Sequence, residues 1–161
     1  MAASATRWLD DDQQRAWRGF ILGSTLLMEQ LDQDLRHEFD LSMPEYEILV
    51  RLSEAPQRRM RMAHLADAVC HSRSRVTHTV KRLEKDDLVA RELCADDGRG
   101  VECLLTDKGM RLLEQAAHTH VTGVRDNLVD LASPEDFEAL GRVMNAVTDK
   151  LITAHPEAEM R

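Results

Sequence analysis

The stretch MAHLADAVCHSRSRVTHTVKR, Met62 to Arg82, reads as two short helices joined by a tight turn at His71-Ser72. Stepping about 100° per residue from Val76 puts Val80 and Leu83 beside it in one apolar stripe. Ser74, Thr77, His78, Lys81 and Arg82 fall on the opposite side, with Arg75 at its edge. Ser72 is the natural N-cap of the second helix, which should run from Arg73 to Lys85. No acidic residue occurs from Ala68 to Leu83, in a chain of net charge −8.

A local positive face on a negative protein is best explained by contact with DNA phosphates and base edges. From Gln57 to Gly100 there are ten Lys/Arg against seven Asp/Glu, a net +3, which leaves −11 for the rest. Acidic ends keep a chain soluble and repel DNA everywhere but at the middle. Ser74, Thr77, His78 and Lys81 are therefore expected to face the major groove, with Arg73 and Arg75 near its entrance. Arginine reads guanine edges bidentately. Ser72 and Arg82 are expected to hold phosphates, contacts that position without specifying. Arg58, Arg59 and Arg61 either touch phosphates or flank a small sheet.

Outward from this motif, the chain is mainly helical. Aromatics make up only 4% of the 161 residues and hydrophobics 43%. Apolar residues recur at three- and four-residue steps from Trp17 to Phe39, so a long first helix is expected from about Asp11. Ser42 and Glu45 form a capping box for the next helix. The first helix of the motif should span Ala63 to Cys70. The period then changes to that of strands at Leu88–Leu93 and Val101–Leu105, joined by the turn-rich Cys94 to Gly100, a hairpin with a charged tip. Thr106 caps a helix expected to run to about Asp130, and Ser133-Pro134 opens the last one. The expected fold is mainly α with a small β-hairpin wing. Its domains would be an N-terminal dimerisation helix over 1–40, a DNA-binding unit over 41–106 and C-terminal dimerisation helices over 107–161.

Several classes are disfavoured. No apolar stretch approaches a membrane span, and Met1 to Asp12 lacks the apolar run of a signal peptide, so a cytoplasmic protein is expected. No nucleophile elbow, P-loop, HExxH or dinucleotide fingerprint occurs, so an enzyme is not expected. Cys70, Cys94 and Cys103 make no disulfide framework and match no zinc pattern. Cys94 and Cys103 could still face each other across the hairpin and act as a reversible redox pair or share a metal. His118 and His120, two apart on a helix, point in different directions. No metal or cofactor is expected.

The order helix, helix, helix-turn-helix, hairpin, long helix, helix resembles the MarR family of bacterial transcription regulators, over about Asp12 to Leu151. The resemblance is carried by Leu41-Ser42-Met43-Pro44-Glu45-Tyr46, Leu65-Ala66, Ser72-Arg73-Ser74-Arg75-Val76-Thr77, Arg82-Leu83-Glu84, Asp97-Gly98-Arg99-Gly100 and Leu105-Thr106-Asp107-Lys108-Gly109. It looks most like the actinobacterial branch. Asp87 departs from the pattern by standing where the family usually has glycine, and Asp tolerates a left-handed backbone at some cost.

The resemblance implies a winged helix-turn-helix homodimer on double-stranded DNA. It further implies that Arg99 enters the minor groove, with Asp97 as the acidic residue that orients the wing, and a repressor released from a pseudo-palindromic operator by a small-molecule effector. Family effectors include phenolic and aromatic acids bound between the dimer helices and the winged unit. Trp17, Arg18, His37 and Tyr46 are the candidates for lining such a pocket here. The alternative is a redox- or metal-responsive regulator on the same scaffold using Cys70, Cys94 or Cys103.

Overall fold

Helix α1 covers Asp11–Phe39 and is closed at both ends by local chemistry. The Asp10 carboxylate accepts from the Gln13 N–H at 2.8 Å, and the Gln13 side chain accepts in return from the Asp10 N–H, a reciprocal cap that satisfies two orphan donors. Asp40 ends the helix in the left-handed conformation, its N–H reaching the Arg36 carbonyl. The computed structural model describes residues 5–93 and 100–154 of the chain.

Helix α2, Met43–Glu54, starts at the expected box: Glu45 accepts from the Ser42 N–H at 2.8 Å and from the Ser42 hydroxyl. A short strand β1, Arg59–Arg61, leads into α3, Met62–Ala68, and then α4, Arg73–Lys85. Helix α3 starts and stops earlier than the expected Ala63 to Cys70. Cys70 takes a left-handed conformation, φ 52°, and the His71 N–H folds back to the Ala66 carbonyl.

Strands β2, Val89–Leu93, and β3, Val101–Leu105, form the wing ladder. The sheet is antiparallel in the order β1-β3-β2, with Met60 and Arg91 opposite Cys103 on either side. Cys103 thus faces Arg91 across the hairpin, not Cys94, which lies outside the described residues with the rest of 94–99.

The turn between α4 and β2 explains why Asp87 stands in for glycine. Its φ is 57°. The Leu88 N–H reaches back to the Leu83 carbonyl at 2.9 Å and the Asp87 N–H to Glu84 at 3.1 Å. These two bonds close the helix in a Schellman arrangement, which requires a left-handed residue at this position.

Helix α5, Asp107–Asn127, is capped by Thr106, whose hydroxyl accepts from the Gly109 N–H at 2.9 Å. It ends three residues short of Asp130, because Leu128 leaves helical geometry (φ −142°) and Val129–Leu131 forms a 3-10 turn. Helix α6, Pro134–Ala154, follows. One core joins the elements. Leu35 of α1 shares it with Ile48, Leu49 and Leu52 of α2, Leu65 of α3, Val76, Val80 and Leu83 of α4, Cys103 of β3 and Ala116 of α5, all essentially buried. Each buried Leu, Ile or Val among them contributes about 1.5–3 kcal/mol by leaving water. The core is therefore continuous across the boundaries expected at 40 and 106.

The two ends of the chain are different. The first half of α1 exposes Trp17, Phe20, Ile21 and Leu22, and α6 exposes Phe137, Val143, Met144, Val147 and Leu151. Among the described residues no helix is long and apolar enough to cross a membrane.

Candidate nucleic-acid interface

Helix α4 is anchored by one stripe and open on the other. Val76, Val80 and Leu83 are each no more than 1% exposed. Ser72, Arg73, Ser74, Arg75, His78, Lys81 and Arg82 are exposed, while Thr77 is half-buried. The Thr77 hydroxyl donates to the Arg73 carbonyl at 2.8 Å, so its polar end is already used by the helix. Ser72 caps the helix by accepting from the Arg75 N–H at 3.3 Å, and its hydroxyl lies 3.2 Å from that of Ser74. The helix N-terminus, where backbone N–H groups and the dipole favour anions, thus carries two hydroxyls and two arginines.

Two acids beside this helix are paired with arginines. Glu84 accepts from Nε of Arg91 on β2 at 3.0 Å, and that hydrogen bond holds its carboxyl below the usual range. Glu45, buried under the start of α2, forms an ion pair with Nε of Arg82 at 3.2 Å. The expected phosphate anchor at Arg82 therefore has a protein partner. In the basic connector, Arg58 pairs with Asp107 at 3.3 Å and Arg59 with Glu102 at 3.5 Å, which favours the sheet-flanking alternative for these two. Asp97 and Arg99, at the expected wing tip, lie outside the described residues.

A cavity of about 400 Å³ opens between α1, α2 and α5. Leu27 and Leu31, Tyr46 and Val50, and His120 and Val124 make its walls, with Glu47 and Arg51 as its charged members. Tyr46 and His120 sit ring against ring, centroids 4.7 Å apart and tilted by 38°. Burial pushes the His120 pKa down and the Tyr46 pKa up. Nδ1 of His120 is buried without a hydrogen-bond partner. Glu47 also approaches Nε2 of His71, in the turn before α4, at 3.8 Å.

Of the four expected pocket residues, only Tyr46 lines this cavity. Trp17, Arg18 and His37 are exposed on α1, and Trp17 stacks on Phe20 at 5.9 Å. Periodicity could not have found His120, because its role depends on α5 crossing α2 far along the chain. The expected divergence of His118 and His120 holds: His118 is exposed and His120 faces the cavity.

The model of the MarR family matches residues 41–101, the span from the start of α2 to the return strand of the wing. Sco3205, a MarR family transcriptional regulator from Streptomyces coelicolor solved in complex with DNA, is 40% identical with a TM-score of 0.88, over 92% of this chain and 93% of that one. AbsC, a MarR family regulator from the same organism, is 42% identical with a TM-score of 0.86, over 91% and 98%. The chain belongs to the MarR family. It is a DNA-binding transcription regulator with a winged helix-turn-helix fold, as the resemblance implied. MepR of S. aureus, solved with DNA, shares the fold at 23% identity and a TM-score of 0.73, over 81% and 94%. No curated protein matches the chain significantly.

On this MarR scaffold Cys103 is ill-suited to sensing. Cys103 is buried, and burial pushes its thiol up to about 12, so the reactive thiolate is scarce at neutral pH. Cys70 is exposed. Among the described residues no group of three or more His, Cys, Asp or Glu side chains is placed to hold a metal ion.

Proposed function

We propose that this protein is a homodimeric repressor that occupies a pseudo-palindromic operator and blocks transcription. The observation that carries the DNA contact is the face of α4: an exposed row of Ser74, Arg75, His78 and Lys81 backed by a buried stripe, with Glu45 and Glu84 paired to arginines. Ser74, Arg75, His78 and Lys81 read the major groove, Arg73 lies at its edge, and Ser72 holds a phosphate. Arg99 reaches the minor groove, and Asp97 orients it.

The dimer is supported by the apolar faces that α1 and α6 leave exposed on one chain. Two copies covering these faces would set the paired α4 helices one DNA turn apart, roughly 34–36 Å. An aromatic or phenolic effector would enter the cavity beside Tyr46 and His120. Filling a space between the dimer helices and α2 favours a conformer with altered α4 spacing. Release requires the effector to favour that conformer by several kcal/mol, about 5.5 for a near-complete reversal of population.

Fluorescence anisotropy against the intergenic DNA upstream of the protein's own gene, repeated across salt, tests this. Tight, sequence-selective binding with a log–log slope near −0.9 per phosphate contact is expected. Equal, weak binding to operator and scrambled DNA would speak against it.

A further inference from the structure

Three polar groups link the long helix α1 to the recognition helix α4 through the start of α2. On α1, the Asp32 carboxylate accepts from Nε of Arg36 at 2.6 Å and from the Met43 N–H, the first of α2, at 2.7 Å. Burial pushes the Asp32 pKa up, but these two hydrogen bonds outweigh it and hold the group charged. One residue away, Ser42 donates its N–H and hydroxyl to Glu45. Glu45 in turn holds Arg82 of α4, with its own side chain 4% exposed and that of Arg82 53%.

We propose that Arg82 is a positioning residue, fixing the recognition helix to α1 through Glu45 and the start of α2 rather than neutralising a DNA phosphate. A buried carboxylate that lost its cation would be strongly destabilised, so the pair persists when DNA binds. The ion pair joins Nε of Arg82 to the Glu45 carboxylate at 3.2 Å, a tether between α4 and the start of α2. It therefore sets the roll of α4 about its buried stripe, on which the aim of Ser74, His78 and Lys81 at base edges depends. The inference rests on the DNA-binding reading above.

The full-length protein is compared with Arg82→Gln, Glu45→Gln and the double variant, each checked for folding by circular dichroism. Operator and scrambled DNA are titrated across salt. Positioning predicts that each single change weakens operator binding by on the order of tenfold. The double variant should be no worse than either single one. Salt slopes and scrambled-DNA affinity should match the wild type. A phosphate anchor predicts a slope smaller by about 0.9 per protomer for Arg82→Gln, with Glu45→Gln at wild-type operator affinity or tighter, and that result would overturn the proposal.

Glu45 is buried away from DNA and Gln retains an acceptor for Ser42, so Glu45→Gln decides the matter alone if Arg82→Gln does not fold. Wild-type protein that binds no DNA would sink the DNA-binding reading and this one together. A slope loss confined to Arg82→Gln sinks only this one.

Discussion

Gly109 of α5 lies directly under the carbonyl of Leu88, so close that a Cβ on it would stand 2.1 Å from that oxygen and 2.8 Å from Cδ1 of Leu105. The same carbonyl accepts from the Thr106 N–H at 3.1 Å, so the base of the wing and the start of α5 are locked at one point. The Leu88 oxygen is backbone and cannot swing away as a side chain would. Gly109→Ala is expected to destabilise the fold by about 1–3 kcal/mol through overpacking. Urea unfolding measures it, and an unchanged midpoint would mean that the junction is looser than described.

The two sides of α4 should separate stability from recognition. Leu83→Ala opens a cavity in the core and is expected to cost about 2–5 kcal/mol of stability. Arg75→Ala, on the exposed side, should leave the unfolding midpoint nearly unmoved. It should reduce operator discrimination by about 1–3 kcal/mol, the worth of one bidentate base contact. A loss equal on all DNA sequences would make Arg75 a phosphate contact.

Arg99→Ala is expected to weaken operator binding and remove preference for A·T-rich flanks, since narrow minor grooves attract arginine. Operators differing only in the flank read this out. Wild-type affinity on both would take the wing out of the interface.

His120 should make stability depend on pH. Burial lowers its folded pKa below the ordinary 6.5. Below that value the unfolded chain binds a proton that the folded chain resists, so stability present above about pH 6.5 is lost as pH falls through the folded pKa. His120→Phe removes this component and should flatten the profile just below pH 6.5. Asp32 and Glu84, whose folded pKa values are depressed by Arg36 and Arg91, act lower: their contribution is full above the ordinary carboxylate range and fades below it. Parallel profiles for wild type and His120→Phe between pH 7 and 5 would show that His120 is not shielded.

Cys103 should resist thiol reagents in the native protein, because it is buried and its pKa is raised to about 12. Cys70, exposed in the turn before α4, should react readily. Mass spectrometry after brief alkylation distinguishes the two. Rapid labelling of Cys103 would reopen the redox alternative.

Local chemistry made much of this fold legible in the chain alone. The caps at Ser42, Ser72 and Thr106 and the stripe Val76, Val80 and Leu83 act within a few residues, where spacing decides which groups meet. The span Arg73–Lys85 and the strand Val101–Leu105 are found where periodicity put them. The left-handed backbone at Asp87, φ 57°, was implied only by the family resemblance, which has glycine at this place.

What the tertiary structure decided are the meetings of distant residues. Glu45 reads as half of a capping box, yet its carboxylate also takes Arg82, 37 positions on. His120 joins Tyr46 only because α5 crosses α2, while Trp17, Arg18 and His37 are exposed on α1 of the single chain. The sequence left open that Cys103 faces Cys94, and the register set by β1 and β2 puts it opposite Met60 and Arg91. Helical and strand periods specify which side of an element is apolar. Which charged or aromatic group lands across from it depends on crossing angles and register, and these are settled only when the whole core packs.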